Sequence, residues 1–319
     1  MRRDRARIQT DKRLDEIELH LKRIYRQSYD EISAKWHAYM DAGQTRLDDL
    51  YTAYTMADTA HKAEALQRYQ QAVQNYTLRN RWYRDMVDET TLRLAHVNEI
   101  AMAYVNGQIP AIYAINYNYI DPQLKDIGIK WMIRDEYAVR DLIMDTLPQK
   151  TVNVAKDMIW NMRAINSSVL QGILQGESIP KISKRLLPIV GNNRKATTRT
   201  ARTMVTQAEN RGRQDRYKDY EDQGVEMRKV WIATPDGRTR NWHMSMDGQE
   251  REIDEMFVDG LGNELEYPGD PSAPPNTVYN CRCTMRSHIV AIRGHRVGGS
   301  FGTDLHREQM AEERARRGL

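Results

Sequence analysis

Apolar residues recur every three or four positions through the first two thirds of the chain. They fall first at Leu14, Ile17, Leu21 and Ile24, a 3-4-3 spacing like the seam of a coiled coil. The stripe continues less regularly through Ile32, Trp36 and Tyr39, and Asp41-Ala42-Gly43 predicts a helix end with Gly43 just past it. A second helical run is predicted from about Thr45 to Val105, with apolar positions at Leu47, Leu50, Tyr51, Tyr54, Tyr69, Val73, Tyr76, Tyr83, Val87, Leu94, Val97 and Tyr104. Sixty residues are long for one globular helix, so a break is expected near 58–63, and Gly107 and Pro110 should end the run. The seam is rich in Tyr, whose ring packs while its hydroxyl prefers water. It suits either an antiparallel hairpin packed on itself or a surface that meets a partner.

Residues 111–130 read as an irregular connection turned by Asp121-Pro122. Short helices are predicted over Trp131–Leu147, stopped by Pro148, and over Val152–Gln175. The buried stripe of the second is expected at Val154, Met158, Ile159, Met162, Ile165, Val169, Leu170 and Ile173, with Gly176 as its end. Ser178 then suits an N-cap with Pro180 just inside a short helix that stops at Pro188. A long helix follows, about Arg194 to Glu221. It carries Arg194, Lys195, Arg199, Arg202, Arg211, Arg213, Arg216 and Lys218 against Glu209, Asp215 and Asp219. Such a face is expected to be solvated, with contact to an acidic partner or a phosphate backbone as the alternative.

After Gly224 the period changes from helical to alternating. Residues 225–233 predict a strand, Thr234-Pro-Asp-Gly a turn, 238–245 one or two helical turns, and Met246-Asp-Gly-Gln a second turn. Residues 251–267 suit a hairpin turning at Asp259–Asn263. Pro268-Gly-Asp-Pro-Ser-Ala-Pro-Pro is too proline-rich for a regular element, and a last strand is expected over about Arg282 to Ile292.

Composition sharpens this division. No proline precedes Pro110 and Gly43 is the sole glycine before Gly107, whereas half of the ten prolines lie between Pro235 and Pro275. Twelve of the 17 tyrosines precede residue 120, and both cysteines, Cys281 and Cys283, lie beyond residue 250. The predicted class is α+β: a long N-terminal helical arm and a helical middle region, then a small mixed module with a short antiparallel sheet. The expected divisions are 1–110, an arm; 111–150, a connector with a short helix; 151–292, a module with helices over 151–221 and a sheet over 225–292; and 293–319, a charged tail, frayed or disordered. No window approaches the ~20 apolar residues a membrane span needs. The N-terminal residues lack the apolar core of a secretory signal. A net charge of +4 excludes a polycation built to coat DNA. Two cysteines do not make a disulfide scaffold.

Five ordered stretches carry a family pattern: Ala201-Arg-Thr-Met-Val-Thr-Gln-Ala-Glu-Asn; Val230-Trp-Ile-Ala-Thr-Pro-Asp-Gly-Arg-Thr-Arg; His243-Met-Ser-Met-Asp-Gly-Gln; Tyr267-Pro-Gly-Asp-Pro; and Asn280-Cys-Arg-Cys-Thr. Together they resemble the phage head morphogenesis family, the minor capsid proteins similar to protein F of phage Mu, over roughly 150–292. Met204 stands where that family commonly has an acidic residue. The matching residues are Trp231, Asp236, Arg238, Arg240, His243, Asp247, Gly248, Pro268, Asp270, Pro271, Asn280, Cys281, Arg282 and Cys283. The resemblance implies a non-enzymatic protein of the virion, assembled in the host cytoplasm. It would act at or near the portal vertex during procapsid assembly and affect DNA packaging or ejection. Its partners would be the portal and the major capsid or scaffolding protein, with weak contact to packaged DNA and no small-molecule substrate. Some relatives carry toxin domains after this module; the 36 residues beyond Cys283 are expected to be too few for one.

Read as residues alone, the same positions hold two open questions. On a strand, Cys281 and Cys283 would face one way. Both could bind zinc with His243, completed by His288 or an Asp, or both could be small buried packing residues. Zinc sites usually space their cysteines by two to four, which favours packing and no cofactor. His243 could be a general base oriented by Asp236 or Asp247, as in a metal-dependent hydrolase or nuclease, or these polar side chains could tie down loops that lack ladder partners. The absence of a nucleophile at recognisable spacing favours ties, among them an Arg282 pair with Asp236 or Asp270. The sequence holds no phosphate loop. DNA contact would fall to the basic helix at 194–218 or to the Arg-rich ends at 2–13 and 307–317.

Overall fold

The computed structural model describes residues 4–41, 44–76, 81–124, 133–135, 139, 143, 147, 149–292, 295–296 and 304–318. Helices α1 (Arg5–Asp41), α2 (Gln44–Met56), α3 (Lys62–Tyr76) and α4 (Arg81–Tyr117) come first, then a 3-10 turn at Pro122–Leu124. Helices α5 (Val154–Leu174), α6 (Ile179–Lys184) and α7 (Leu187–Glu221) follow. The remainder is β1 (Val225–Ile232), α8 (Asn241–Met244), β2 (Glu250–Glu252), β3 (Phe257–Val258), β4 (Glu264–Leu265), α9 (Pro275–Val278), β5 (Thr284–Ile292), β6 (His295–Arg296) and α10 (Asp304–Arg317). This is the expected α+β chain: long helices and one small antiparallel sheet near the C-terminus. Among the described residues no helix is long and apolar enough to cross a membrane.

The chain forms two compact units. One comprises 1–18, 105–149 and 199–319; the other comprises 19–104 and 150–198. Three of their boundaries fall inside α1, α4 and α7, and the fourth, between 149 and 150, lies outside these helices.

In the second unit the tyrosine seam is core. Tyr25, Tyr69 and Tyr83 are almost fully buried, as is Trp36. Their polar atoms find protein partners: Tyr25 Oη reaches Thr197 Oγ1 (2.7 Å), Tyr69 Oη donates to Glu177 O (2.7 Å), and Tyr83 Oη donates to Asn166 Oδ1 (2.9 Å). Trp36 Nε1 donates to Thr90 Oγ1 at 2.9 Å. The expectation that these hydroxyls stay wet is therefore corrected; buried donors must be paired, and these are. Asn153 caps α5 by accepting from Lys156 N–H at 2.9 Å. Its buried stripe is Asn161, Ile165, Val169, Gly172 and Ile173, while Ile159 and Leu170, expected inside, are exposed.

Two helix boundaries differ from expectation for related reasons. Helix α4 runs through Gly107 and Pro110 to Tyr117. Tertiary burial of Ile109, Ile112, Tyr113 and Tyr117 outweighs the propensity penalty of these two residues. Pro188 lies in the first turn of α7, where its missing N–H costs nothing, so it begins that helix and stops none. Of the helix expected at 131–147, most lies outside the described residues; Val139 and Ile143 are helical and buried. Ala42, Gly43, Pro148 and Gly298 also lie outside them.

In the first unit the sheet has the order β2-β1-β5-β6, all antiparallel, and β3-β4 is a separate hairpin. Strand β1 alternates at its start, with Val225 and Met227 inside and Glu226 and Arg228 outside; Lys229 to Ile232 are then buried on both faces. Its register against β5 runs from Val225↔Ile292 to Ile232↔Thr284, with a bulge between Glu226 and Met227. Trp231, Phe257, Tyr267, Met244, Met246, Met285, Ile289, Cys281, Cys283 and Met310 share one apolar core with Tyr217 and Tyr220 of α7. Met310 belongs to α10, so within the tail expected to be frayed or disordered residues 304–317 form a helix that places Met310 in that core.

Candidate functional site

The site is a group of loops gathered where β1 ends and β5 begins. Beyond Ile232 the chain loses its ladder partners, and side chains take over. Asp247 Oδ1 accepts from Ala233 N–H (2.8 Å), Thr234 Oγ1 donates to Arg282 O (2.9 Å), and Thr239 Oγ1 donates to Thr234 O (2.6 Å). Gly248 adopts φ of +79° and its N–H returns to Trp231 O at 2.9 Å, which closes the 246–249 turn on β1.

Arg282 grips Asp236 through both guanidinium NH2 groups, one at 2.6 Å. The pairing is bidentate, and Asp236 also accepts from Arg238 N–H at 2.9 Å. Hydrogen bonding from Arg282 holds the Asp236 carboxyl well below its usual range. Of the two partners expected for Arg282, the structure gives Asp236. Asp270 instead accepts from Glu266 N–H and Ser272 N–H, both at 2.8 Å, fixing the turn that contains Pro268 and Pro271. Arg240 donates to the carbonyls of Thr277 (3.4 Å) and Tyr279, tying α8 to α9.

Helix α7 reads the backbone that carries the cysteines. Thr203, Thr206, Asn210 and Arg213 recur at helical spacing on one face. Thr203 Oγ1 accepts from Asn280 N–H (2.9 Å), and Asn280 holds a φ of +57°. Thr206 Oγ1 donates to Cys281 O (2.8 Å). Asn210 donates to Cys283 O (3.4 Å) and accepts from Met285 N–H (3.1 Å). Arg213 reaches Met285 O at 3.4 Å. Gly269, φ +87°, lies so near α7 that a Cβ there would sit 3.2 Å from Thr206 Cγ2 and 3.3 Å from Gln207 N. Sequence reasoning saw a motif at 201–210 without this purpose; on a helix so rich in polar residues, the 3-4-3 spacing of these four does not stand out. Met204 is buried in the same helix.

The basic face of α7 is solvated only in part, with Lys195 and Arg199 exposed as expected. Arg213 and Arg216 are buried; Arg213 binds Asp4 through two hydrogen bonds (2.9 and 3.0 Å), and Arg216 lies over the rings of Tyr117 and Tyr220. Arg202 pairs with Glu18, and Arg211 with Asp215. At the chain's start Arg7 pairs with Glu209, and at its end Arg314 donates to Met244 O (2.9 Å) and Arg317 to Asp236 O (2.7 Å). These arginines, considered above for DNA, serve internal contacts.

His243, Cys281 and Cys283 come together with 1%, 2% and 2% of their surfaces exposed. His243 Nδ1 lies 3.6 Å from Cys281 Sγ and 3.7 Å from Cys283 Sγ. The cysteines precede β5 instead of lying on it, yet both sulfurs meet one imidazole. They are free thiols. The neighbouring Cys283 thiol and His243 lower the Cys281 thiol, while sharing that proton and burial raise Cys283. His288 is elsewhere, with Nδ1 3.2 Å from Glu250 Oε2. Neither Asp236 nor Asp247 orients His243, since each is engaged as described.

Residues 163–286 match the family described as Phage Mu protein F like protein. The chain thus carries a Mu F-like module and is similar to phage minor head proteins. It is 28% identical over 140 residues to the "Minor head protein GP7" of Bacillus phage SPP1, covering 44% of this chain and 44% of that protein. It is also 28% identical over 128 residues to an "NAD(+)--arginine ADP-ribosyltransferase EFV" of Enterococcus faecalis, covering 40% of this chain and 26% of that one. The matched stretches therefore span less than half of either relative. No solved structure is a significant match.

Proposed function

We propose that the protein is a non-enzymatic minor head component that acts at or near the portal vertex while the procapsid forms, and so influences DNA packaging or ejection. The observation that carries this reading is the Mu F-like stretch at 163–286, which it has in common with phage head proteins. The role of the matching residues supports it: Asp236, Arg240, Asp247, Asp270 and Arg282 all spend their hydrogen bonds inside the fold. The hydrolase alternative needs His243 open to a substrate, and that side chain is buried.

The test is composition of particles. Heads purified from cells making the phage should contain the protein at a few copies each, and it should co-sediment with portal protein when the two are co-expressed. A protein that stays free of heads and of portal refutes the proposal. Association with the major capsid or scaffolding protein alone refutes the portal placement.

A further inference from the structure

The carboxylates and guanidinium groups described above are engaged in tying the loops, and the His243 imidazole and the two cysteines are not part of those ties. Nothing in the head role requires this trio, and its geometry is specific. A tetrahedral zinc ion with Zn–S of about 2.3 Å and Zn–N of about 2.0–2.1 Å holds its nitrogen and sulfur ligands roughly 3.5–3.6 Å apart. His243 Nδ1 is 3.6 and 3.7 Å from the two sulfurs, and all three donor atoms lie within 4.8 Å of one another. The two nitrogen–sulfur separations are thus close to those of a tetrahedral ligand set.

The surroundings favour the same occupant. A buried imidazole has one protonated and one bare nitrogen, and each normally finds a partner. His243 Nε2 has no hydrogen-bond partner, and Nδ1 has only the sulfurs. Only with the proton on Nε2 is the Nδ1 lone pair free to act as a ligand beside the two sulfurs. Cys281 Sγ also accepts from Cys283 N–H at 3.4 Å, a contact that stabilises a thiolate. The imidazole is held at its place by Trp231, which meets it nearly at right angles at 5.6 Å.

We propose that His243 Nδ1, Cys281 Sγ and Cys283 Sγ bind one zinc ion, which staples α8 to the segment entering β5. Two thiols release their protons to solvent on binding; two thiolates and a neutral imidazole then balance the dication. Among the described residues no fourth His, Cys, Asp or Glu joins the group, so the fourth position falls to a ligand outside it. The ion acts as a cross-link for a loop-rich unit that has few ladder hydrogen bonds.

The experiment uses the full chain, purified under reducing conditions without chelator and then exchanged against cobalt(II). Elemental analysis should give about one zinc per chain. The cobalt form should show a thiolate-to-cobalt charge-transfer band and the intense visible bands of a tetrahedral ion. Cys283→Ser should abolish the charge-transfer intensity or halve it, and His61→Ala, at an exposed histidine, should leave it unchanged. Chelation of the wild type should lower its thermal midpoint, with recovery on adding zinc. Folded wild-type protein that holds less than a tenth of an equivalent of zinc after reconstitution overturns the proposal. So does copper in place of zinc, or cobalt bands that persist undiminished in a Cys281→Ser, Cys283→Ser double variant. The wild-type measurements decide the matter even where a variant fails to fold.

Discussion

Lys229 is wholly buried, with Nζ donating to Glu266 O at 2.8 Å and lying 5.3 Å from the Phe257 ring. Burial lowers its pKa to about 8, against the partial opposition of the Glu266 charge. The unfolded chain keeps that proton up to about pH 10.4. Between these values the unfolded state binds more protons, so this group makes stability rise with pH; the penalty is fully present below about pH 8. Lys229→Met isolates it from the tyrosines that titrate nearby. In chemical unfolding, wild type should gain on the variant by on the order of 2–3 kcal/mol between pH 7 and 10; a constant difference would show that the ammonium is not penalised. Asp236 has the opposite sign. Its folded pKa is lowered, so its contribution is present above about pH 4 and disappears as pH falls through the folded value. Asp236→Asn should cost about 1–2 kcal/mol at pH 7, discounted for partial exposure, and less at pH 2. Equal losses at both would mean the carboxylate charge is not what matters.

Elements were legible where a local pattern decides them, and obscure where a distant partner does. Strand β1, the 234–237 and 246–249 turns and the β3-β4 hairpin follow from alternation and turn chemistry. The stop expected at Pro110 failed because the far end of α4 is held by α7. At Gly212 of α7 a Cβ would lie 2.6 Å from Tyr113 O and 3.1 Å from Tyr117 N, while Tyr113 Oη donates to Asp215 Oδ2 at 2.7 Å. Neither feature has a sequence signature in α4 itself. The same contact predicts that Gly212→Ala, harmless in an isolated helix and favoured there by propensity, destabilises the chain by at least ~2 kcal/mol, because backbone must shift. Urea unfolding measures it, and a stabilised variant would disprove the close crossing. Within the site, the His243, Cys281 and Cys283 grouping was visible as a possibility from residue types, whereas the α7 face that holds their backbone was not. Asn210→Ala should cost roughly 1–3 kcal/mol by leaving Met285 N–H unpaired in the core. An Asn210→Ala variant with unchanged stability would mean water replaces that bond.

At the scale of the whole molecule, the compact units join distant segments. The unit that holds the sheet of the Mu F-like stretch also takes 1–18 and 105–149. The ion cluster shows why. Glu209 and Arg213 are buried at 1% and 2% exposure, and Arg213 is held charged by Asp4, while Arg7 covers Glu209. Thr284 Oγ1, at the start of β5, donates to Glu209 Oε1 at 2.8 Å. Removing the chain's first turn therefore strips partners from two charges that cannot easily leave the core, and breaking a buried pair this way costs on the order of 3–5 kcal/mol. An Asp4→Ala, Arg7→Ala double variant should lose stability of that size. Its amide hydrogen exchange should quicken in β1 and β5, more than two hundred residues away in sequence, as much as in α1. An autonomous helical arm predicts something else: faster exchange confined to α1, with the sheet as protected as before. That result would refute the role given to Asp4 and Arg7.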